Sequence, residues 1–263
     1  PIFLSNSNHK YNTFSYDVID PDFGTEADLT ALVEQAHALG IKVMLDAVFN
    51  HVGTEFPQWQ DVLEKGPDSD YWDWFFVQQW PLPKVVRNTQ DKFHSFAFTG
   101  LMPKLNTNNP EVMAFCLKRC RRWVEEWHID GIRFDVGNEV SHRFLKYLNQ
   151  GLKPIKPDIF LLGEIWHDSL PWLQGDEYDS TMNYPFLECV HNFWLDRQNS
   201  RDLKYGLNYC YSMYPEQINE VLFNFLDTHD TMRCLTRCGG NRDTFFQQLT
   251  LLMTLPGSAC IYY

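Results

Sequence analysis

The sequence predicts an α/β fold of the TIM (β/α)8 barrel type, and two observations lead to this fold class. Short apolar runs alternate with amphipathic helical stretches over most of the 263 residues, which indicates a parallel sheet with helices packed on it. Four of the apolar runs are followed by acidic residues or histidine, as expected where barrel strands end at an active site. A doubly wound sheet is the structural alternative, but its glycine-rich phosphate loop after the first strand has no counterpart in this sequence.

The individual elements follow from apolar periodicity and from the residues that begin or end each run. Residues 1–4 resemble the end of a strand, and the first helix ends before Gly40, a residue type favoured just beyond a helix. The second helix has Pro110 near its start, where proline is favoured, and the short apolar runs suit buried strands. The predicted helices cover residues 29–39, 110–127, 138–152 and 241–255, and the predicted strands cover 41–45, 129–134, 159–162, 178–183, 221–226 and 259–263.

The alternation breaks between residues 52 and 105, a stretch rich in tryptophan, proline, aspartate and phenylalanine. A segment of this length is uncommon as a plain loop, so we expect a small subdomain inserted after the third strand of the barrel. Its aromatic side chains would form a small core of their own, and at least one is expected to reach the active site. The predicted parts are therefore 1–51 (first part of the barrel), 52–105 (inserted subdomain) and 106–263 (remainder of the barrel).

Composition and charge exclude several classes of function. The formal net charge is -12, which argues against a nucleic-acid partner because phosphates need basic side chains. No apolar run approaches the roughly 20 residues of a membrane span, so no membrane partner is expected. The seven cysteines fit neither a metal knuckle nor a disulfide framework, and reduced core thiols favour a cytoplasmic location.

Four polar clusters at the ends of different apolar runs carry the candidate chemistry. They are Asp-Ala-Val-Phe-Asn-His at 46–51, Gly-Ile-Arg-Phe-Asp at 131–135, Gly-Glu-Ile-Trp at 163–166 and Phe-Leu-Asp-Thr-His-Asp at 225–230. Because strand ends converge in a barrel, we expect Asp135, Glu164 and Asp230 within reach of one ligand. His51, Arg133 and His229 would surround them.

Two carboxyl groups about 5 Å apart are what retaining glycoside hydrolysis requires. Arg133 precedes Asp135 by two residues, so both side chains point to one face of a strand, and the guanidinium would keep Asp135 ionised as a nucleophile. Glu164 is flanked by apolar residues, a setting that favours a protonated carboxyl and hence a general acid. Asp230 and His229 would hold ring hydroxyl groups of the sugar.

Each of these residues has a structural alternative when it is taken alone. Asp46 would most often be a helix N-cap, and an arginine–aspartate pair is more often structural than catalytic. His51 together with Asp46 and Asn50 could form a metal site. Four polar clusters at four strand ends are not expected from structural need alone, so the joint pattern favours an active site.

In order along the chain, the four clusters resemble the four sequence regions of the α-amylase family, glycoside hydrolase family 13. The segments Met-Pro-Lys-Leu-Asn at 102–106, Val-Gly-Asn-Glu-Val at 136–140 and Gly-Glu-Ile-Trp-His at 163–167 are similar to the neopullulanase, cyclomaltodextrinase and maltogenic amylase branch. The resemblance implies a (β/α)8 barrel and retaining cleavage of α-1,4, and also α-1,6, glucosidic bonds. The implied substrates are maltooligosaccharides, cyclodextrins or pullulan, cleaved through a covalent glycosyl-enzyme.

The resemblance also implies a role for each candidate residue. It makes Asp135 the nucleophile, Glu164 the proton donor and Asp230 the transition-state stabiliser. The implied substrate-binding residues are His9, Tyr11, His51, Arg133, Asn138, Glu139, Trp166 and His229, with Tyr11 as a stacking platform and Asn138, Glu139 and Trp166 on the acceptor side.

Several departures from the family pattern limit what the resemblance implies. Asn138-Glu139 replaces a lysine–histidine pair of true α-amylases that supplies one backbone ligand of their calcium site. We therefore expect no metal and no cofactor in this chain, and a calcium ion of the full-length protein would find its ligands elsewhere. The first strand and last helix of the family have no counterpart, so we expect a fragment that is poorly stable and barely active alone. The full-length protein is expected to be a homodimer.

Two other functions remain open from the sequence. An isomerase or transglycosidase of the sucrose or trehalose type would belong to the same family, but such enzymes lack the segment at 102–106 in this form. A non-catalytic, amylase-like binding domain would be marked by loss of a catalytic carboxyl group, whereas Asp135, Glu164 and Asp230 are all present.

Overall fold

The computed structural model describes residues 1–82, 89, 92–195 and 199–263 of the chain. These residues divide into two compact units, Pro1–Leu161 and Leu162–Tyr263, and each unit is described by itself. Part of the predicted inserted subdomain, residues 83–88, 90 and 91, lies outside the described residues. The same holds for residues 196–198 of the predicted barrel remainder.

The described part of the first unit is built on short strands and four α-helices. Its elements are β1 (Phe3–Leu4), β2 (Ser15–Ile19), α1 (Glu26–Ala38), β3 (Met44–Ala47), α2 (Pro57–Lys65), α3 (Pro110–Glu125), β4 (Gly131–Phe134) and α4 (His142–Leu152), and β5 (Phe160–Gly163) begins here and ends in the second unit. Strands β3 and β4 are parallel, with Met44 opposite Gly131 and Ala47 opposite Phe134. Strands β1 and β2 form a separate antiparallel pair.

Strand β3 differs from its predicted bounds of 41–45, and the difference matters for the site. Ile41 is 55% exposed, and its N–H donates to the carbonyl of Ala36 at 2.8 Å, so this residue completes the end of helix α1. Gly40 adopts the positive φ of +73° that the sequence suggested for it. The strand therefore starts later and includes Asp46, which was expected to follow it.

Helix α4 begins at His142, whereas the predicted helix began at residue 138. The Ser141 side chain accepts the Phe144 N–H and caps the helix there. Val136 has a positive φ of +48°, which no helix interior allows. Residues 136–140 therefore form a turn between β4 and α4.

The core of the first unit is aromatic and centres on helix α3. The Trp123 indole is fully buried and stacks on Phe3, with ring centroids 4.7 Å apart, and on Phe49 at 5.9 Å. Cys116 and Cys120 lie one turn apart on the same helix and are also fully buried, which confirms them as core thiols. Tight packing of these rings fixes the helix behind the strand ends that carry the candidate site.

Residues 52–82 and 92–105 form a mostly irregular segment that includes helix α2. Trp59 of this helix lies against Phe75 and Phe93, with ring centroids 4.8 Å apart in both pairs. Phe96 instead stacks on the imidazole of His51 at 4.8 Å and 16° between ring planes. The segment thus has an aromatic core of its own, and one of its rings reaches a predicted site residue.

The second unit contains the end of β5 followed by β6 (Ser180–Thr181), α5 (Tyr184–Trp194), α6 (Ser200–Ser212), α7 (Glu216–Asn219), β7 (Phe223–Asn224), α8 (Cys234–Arg237), α9 (Arg242–Thr254) and β8 (Ser258–Ala259). Strands β5 and β6 are parallel, with Leu162 opposite Ser180, and so are β7 and β8. Strands β7 and β8 contain two residues each, so the strands predicted at 221–226 and 259–263 are too long. A buried cluster of Phe186, Val190, Leu226, Cys234 and Leu252 packs α5 against α8 and α9. Among the described helices of the chain, none is both long enough and apolar enough to cross a membrane.

Candidate active site

At the carboxyl ends of β3 and β4, two acidic side chains share one guanidinium. The parallel register sets Asp46 opposite Arg133, and Arg133 Nη1 donates to both carboxylate oxygens of Asp46 at 2.8 Å. The same Nη1 lies 3.3 Å from Oδ1 of Asp135, whose own N–H donates to the carbonyl of Ala47 at 3.1 Å. The predicted Arg133–Asp135 pair therefore exists, and Asp46 binds the same guanidinium nitrogen at a shorter distance.

Asp46 is an ion-pair partner here, so the sequence-based reading of it as a helix N-cap is wrong. Burial by itself raises the pKa of Asp46, but the charges of Arg133 and the N-terminus and the hydrogen bonds from Tyr11 and Arg133 together hold that pKa below its usual value. The residue is thus an anion in the folded protein. Sequence reasoning missed this role because it depends on the register between β3 and β4, which local patterns do not reveal.

Tyr11 closes the same cluster from the loop before β2. Its hydroxyl donates to Oδ2 of Asp46 at 2.7 Å, and the guanidinium of Arg133 lies 6.0 Å from the centre of its ring. Burial, reinforced by the nearby Asp46 charge, raises the pKa of Tyr11, so the phenol remains a proton donor. His9 stacks on Tyr11 with ring centroids 6.1 Å apart, which places both predicted residues beside this cluster.

His51 is buried and hydrogen-bonded within the protein. Its Nε2 lies 3.0 Å from the carbonyl oxygen of Tyr11, and its Nδ1 lies 3.2 Å from the side-chain nitrogen of Asn50. Because the amide nitrogen donates to Nδ1, the imidazole proton is on Nε2, and Nε2–H donates a hydrogen bond to the Tyr11 carbonyl. Burial lowers the pKa of His51 to about 3, so the ring is neutral.

Lys104 connects Asn50 to the turn that carries Asn138 and Glu139. Its ammonium group donates to Oδ1 of Asn50, to the carbonyl of Glu139 at 3.2 Å and to Oε2 of Glu139 at 3.1 Å. The side chain of Glu139 is 45% exposed, and Asn138 is also exposed. A calcium ion does not fit beside Asn50, because an ammonium group already holds the side-chain oxygen that would bind it.

In the second unit, Glu164 at the end of β5 is 5% exposed. Its Oε1 accepts hydrogen bonds from the Trp166 indole nitrogen at 3.0 Å and from the Tyr184 hydroxyl at 3.4 Å. The two rings stack with centroids 3.9 Å apart, and Trp166 is 52% exposed. The carboxyl group is therefore held by two donors rather than by purely apolar surroundings, and one of these donors lies at the protein surface.

The cluster after β7 contains one structural acid and one accessible acid. Asp227 accepts the N–H of Cys234 at 2.7 Å and stabilises the start of helix α8. Asp230 is 43% exposed at its side chain, and its Oδ2 lies 3.2 Å from Nε2 of His229. The Asp230 N–H donates to the Thr228 hydroxyl at 3.1 Å, so the turn presents both predicted residues outward.

The structure brings the predicted residues together in groups within each unit. In the first unit, His9, Tyr11, His51, Arg133, Asp135 and Glu139 are joined through Asp46, Asn50 and Lys104. In the second unit, Glu164 pairs with Trp166, and His229 pairs with Asp230. Sequence reasoning missed Asp46, Lys104 and Tyr184, although Lys104 stood inside the segment at 102–106. Among the described residues, no group of three or more histidine, cysteine or acidic side chains could hold a metal ion.

Comparison with known proteins places this arrangement in one family. The sequence model of the protein family described as alpha amylase, catalytic domain, matches residues 1–263. The chain is 48% identical to a maltogenic alpha-amylase of Bacillus acidopullulyticus and 46% identical to an intracellular maltogenic amylase of Bacillus subtilis. Each match covers all of this chain and 44% of the relative.

The solved structure of a cyclomaltodextrinase superposes on the whole chain with a TM-score of 0.96 at 43% identity, and the match covers 45% of that structure. The chain thus spans less than half the length of these three relatives. This likeness confirms the predicted fold class, a parallel α/β fold of the TIM-barrel type, and the names agree with the branch that the segment at 102–106 indicated. The chain belongs to the alpha-amylase catalytic-domain family.

Proposed function

We propose that the protein is a retaining glycoside hydrolase that cleaves α-1,4 glucosidic bonds in maltooligosaccharides, cyclomaltodextrins or pullulan, with α-1,6 bonds as a second target. The observation that carries this proposal is the pair of buried acids, Asp46 and Asp135, around the guanidinium of Arg133. The names of the relatives, which include maltogenic amylase and cyclomaltodextrinase, support the choice of α-glucan as substrate.

Asp135 serves as the nucleophile in this proposal. A nucleophilic carboxylate must stay ionised and must keep one orientation while it attacks the anomeric carbon. Arg133 meets the first need because its positive charge lies 3.3 Å from Oδ1 of Asp135. Arg133 also keeps Asp135 in one orientation, because Asp46 accepts two hydrogen bonds of 2.8 Å from the same guanidinium. These bonds leave the arginine little freedom to turn. The ring of Tyr11 offers the stacking face for the sugar.

Glu164 serves as the acid and then as the base. In the first step its proton passes to the glycosidic oxygen, that bond breaks, and the carboxylate of Asp135 forms a bond to the anomeric carbon. In the second step Glu164 removes a proton from water, the water oxygen bonds to the anomeric carbon, and Asp135 leaves. Trp166 and Tyr184 donate to Oε1 of Glu164, so the charge that appears between the two steps has hydrogen-bond donors beside it.

Asp230 and the substrate-binding residues complete the proposed machinery. Asp230 stabilises the positive charge that develops on the sugar ring, and His229, 3.2 Å away, orients it. His9 and Arg133 contact the sugar at the cleaved bond, and the buried His51 acts through its hydrogen bond to the Tyr11 carbonyl. Asn138, Glu139 and the exposed indole of Trp166 line the acceptor side.

The proposal extends to the cofactors, assembly and location of the whole protein. Its reaction needs proton transfer and a nucleophile only, so no cofactor takes part in it. We propose a homodimer in the cytoplasm, in line with the relative that is named an intracellular maltogenic amylase. The net charge of -12 argues against nucleic acid as a partner, because its phosphates need basic side chains.

Hydrolysis of cyclomaltodextrin by the full-length protein, followed by proton NMR, tests the function. We expect the first reducing ends to appear as the α-anomer, because two displacements restore the starting configuration. Asp135→Asn should lower kcat by roughly 10³-fold or more, as removal of a catalytic nucleophile does, while the surface variant Asp158→Asn keeps full activity. First products in the β-configuration, or substantial turnover by Asp135→Asn, would contradict the proposal.

A further inference from the structure

Lys104 is a largely buried cation that the catalytic proposal does not use. Its side chain is 20% exposed, and a lysine ammonium carries three N–H donors. Three oxygens receive them: Oδ1 of Asn50, the carbonyl of Glu139 at 3.2 Å and Oε2 of Glu139 at 3.1 Å. Each of the three N–H donors of Lys104 thus has an oxygen acceptor, as expected of a specific binding site for a cation.

The backbone fixes Lys104 next to Asn50. Residues 51 and 104 form an antiparallel bridge, with the Val52 N–H donating to Pro103 at 3.0 Å and the Leu105 N–H donating to the Asn50 carbonyl at 3.0 Å. These paired hydrogen bonds hold the two segments in one register. The ammonium group is therefore brought to the Asn50 amide by the main chain and not by a chance side-chain rotamer.

The contact with Lys104 determines which way the Asn50 amide faces. Asn50 is fully buried, and an ammonium has no acceptor, so the amide oxygen must face Lys104 and the amide nitrogen must face Nδ1 of His51. Nδ1 then accepts, and the proton lies on Nε2, which donates to the carbonyl of Tyr11 at 3.0 Å. One cation thereby sets the tautomer of the histidine and the position of the tyrosine backbone.

We propose that Lys104 is a positioning residue that orders the Asn50–His51–Tyr11 chain, in place of a metal ion beside Asn50. The inference rests on the proposed function, in which Tyr11 binds the sugar and His51 holds the Tyr11 backbone in place. The ammonium also lies close enough to His51 to add to the effect of burial, the main cause that lowers the pKa of that ring. The histidine therefore stays neutral and keeps a single tautomer during turnover.

Replacing Lys104 with methionine removes the charge and keeps the length of the side chain. We expect the Asn50 amide to lose its fixed orientation, so kcat/KM on cyclomaltodextrin should fall about 10- to 100-fold, the scale of a small misplacement of binding groups. The matched control is Lys42→Met, since Lys42 forms an exposed ion pair with Asp158 at 2.8 Å. This control should keep kcat/KM within twofold of the wild type.

Nitrogen-15 NMR of histidine-labelled protein reads the tautomer directly, with the His51 signal assigned by its loss in His51→Gln. We expect a single Nε2–H tautomer in the wild type and a mixture in Lys104→Met. Asn50→Asp gives a second variant that retains the pairing with Lys104. Its carboxylate can only accept, and Nε2 still faces the Tyr11 carbonyl, so His51 should take up a second proton on Nδ1 and become an imidazolium.

Melting of the wild type with excess EDTA or added calcium tests the replacement of a metal. Any effect of EDTA on Tm should be the same in the wild type and in Asn50→Ala, because the cation beside Asn50 is covalently part of the chain. A fall in Tm with EDTA that calcium restores in the wild type and that is absent in Asn50→Ala, or an unchanged tautomer with full kcat/KM in Lys104→Met, would overturn the inference. Failure of the full-length protein to hydrolyse α-glucans would instead refute the proposed function, and the tautomer and Tm would still decide the role of Lys104.

Discussion

The ion pair between Asp46 and Arg133 should be far more important for stability than a surface pair of the same length. Arg133 Nη1 lies 2.8 Å from Asp46, with side chains 10% and 16% exposed. Lys42 lies 2.8 Å from Asp158, with side chains 66% and 63% exposed. The two pairs share one distance and differ in burial, so Asp46→Asn and Asp158→Asn form a matched comparison.

Burial determines the magnitude that we expect for each variant. Breaking a buried pair costs about 3–5 kcal/mol because one charge stays behind without its partner, whereas an exposed pair contributes about 0–1 kcal/mol. In Asp46→Asn, one amide oxygen can still accept from Arg133, and Asp135 remains 3.3 Å from the guanidinium. We therefore expect Asp46→Asn to lower the free energy of unfolding by about 3 kcal/mol, at the low end of the range for buried pairs.

Denaturant unfolding of the wild type and both variants measures this difference. For Asp46→Asn we also expect a lower kcat, because the arginine beside Asp135 loses the partner that fixes it. Asp158→Asn should match the wild type in both measurements. Equal losses of stability in the two variants, or a stable and fully active Asp46→Asn, would refute the argument that burial of this pair governs both properties.

Three further predictions follow from the structure. Burial raises the pKa of Asp130, but hydrogen bonds from Lys156, the Val43 N–H and His37 outweigh it and lower that pKa to about 2. The ionised Asp130 therefore stabilises the folded protein fully above about pH 4, and this contribution is lost as the pH falls towards 2. Asp130→Asn should cost on the order of 2 kcal/mol at neutral pH and should flatten the fall in Tm between pH 4 and 2. Gly53→Ala would place a Cβ 2.3 Å from the Phe14 ring and 2.5 Å from the Asn12 carbonyl, so denaturant unfolding should show a loss of about 1–3 kcal/mol. Trp166→Phe keeps an aromatic ring to stack on Tyr184 but loses the donor to Glu164, and kcat on cyclomaltodextrin should fall about tenfold.

The alternation of apolar runs and helices was enough to predict the fold class, and the segments at 102–106, 136–140 and 163–167 indicated the branch of the family. Strand and helix ends were less accurate where they depend on distant partners. Ile41 is apolar enough for a strand, yet its N–H belongs to the turn after α1. The start of α4 depends on the Ser141 cap, whose effect outweighs the helical pattern of residues 138–141.

The candidate site shows the same division between local and long-range information. Asp135 and Glu164 were identifiable because each follows an apolar strand in a recognisable motif. The roles of Asp46, Lys104 and Tyr184 depend on contacts with residues 87, 54 and 20 positions away in sequence. No periodicity in one sequence encodes such pairings, so the groups that hold the candidate catalytic residues in place became visible only in the folded chain.

Trapping of the glycosyl-enzyme tests the central claim of a retaining mechanism with Asp135 as nucleophile. The protein would be incubated with a slowly turned-over fluorinated α-glucosyl fluoride, and intact mass and peptide mapping would locate any adduct. We expect one glycosyl group on the peptide that contains Asp135, and none in Asp135→Asn. An adduct on another carboxyl group, or active turnover of α-glucan without any covalent adduct, would contradict it.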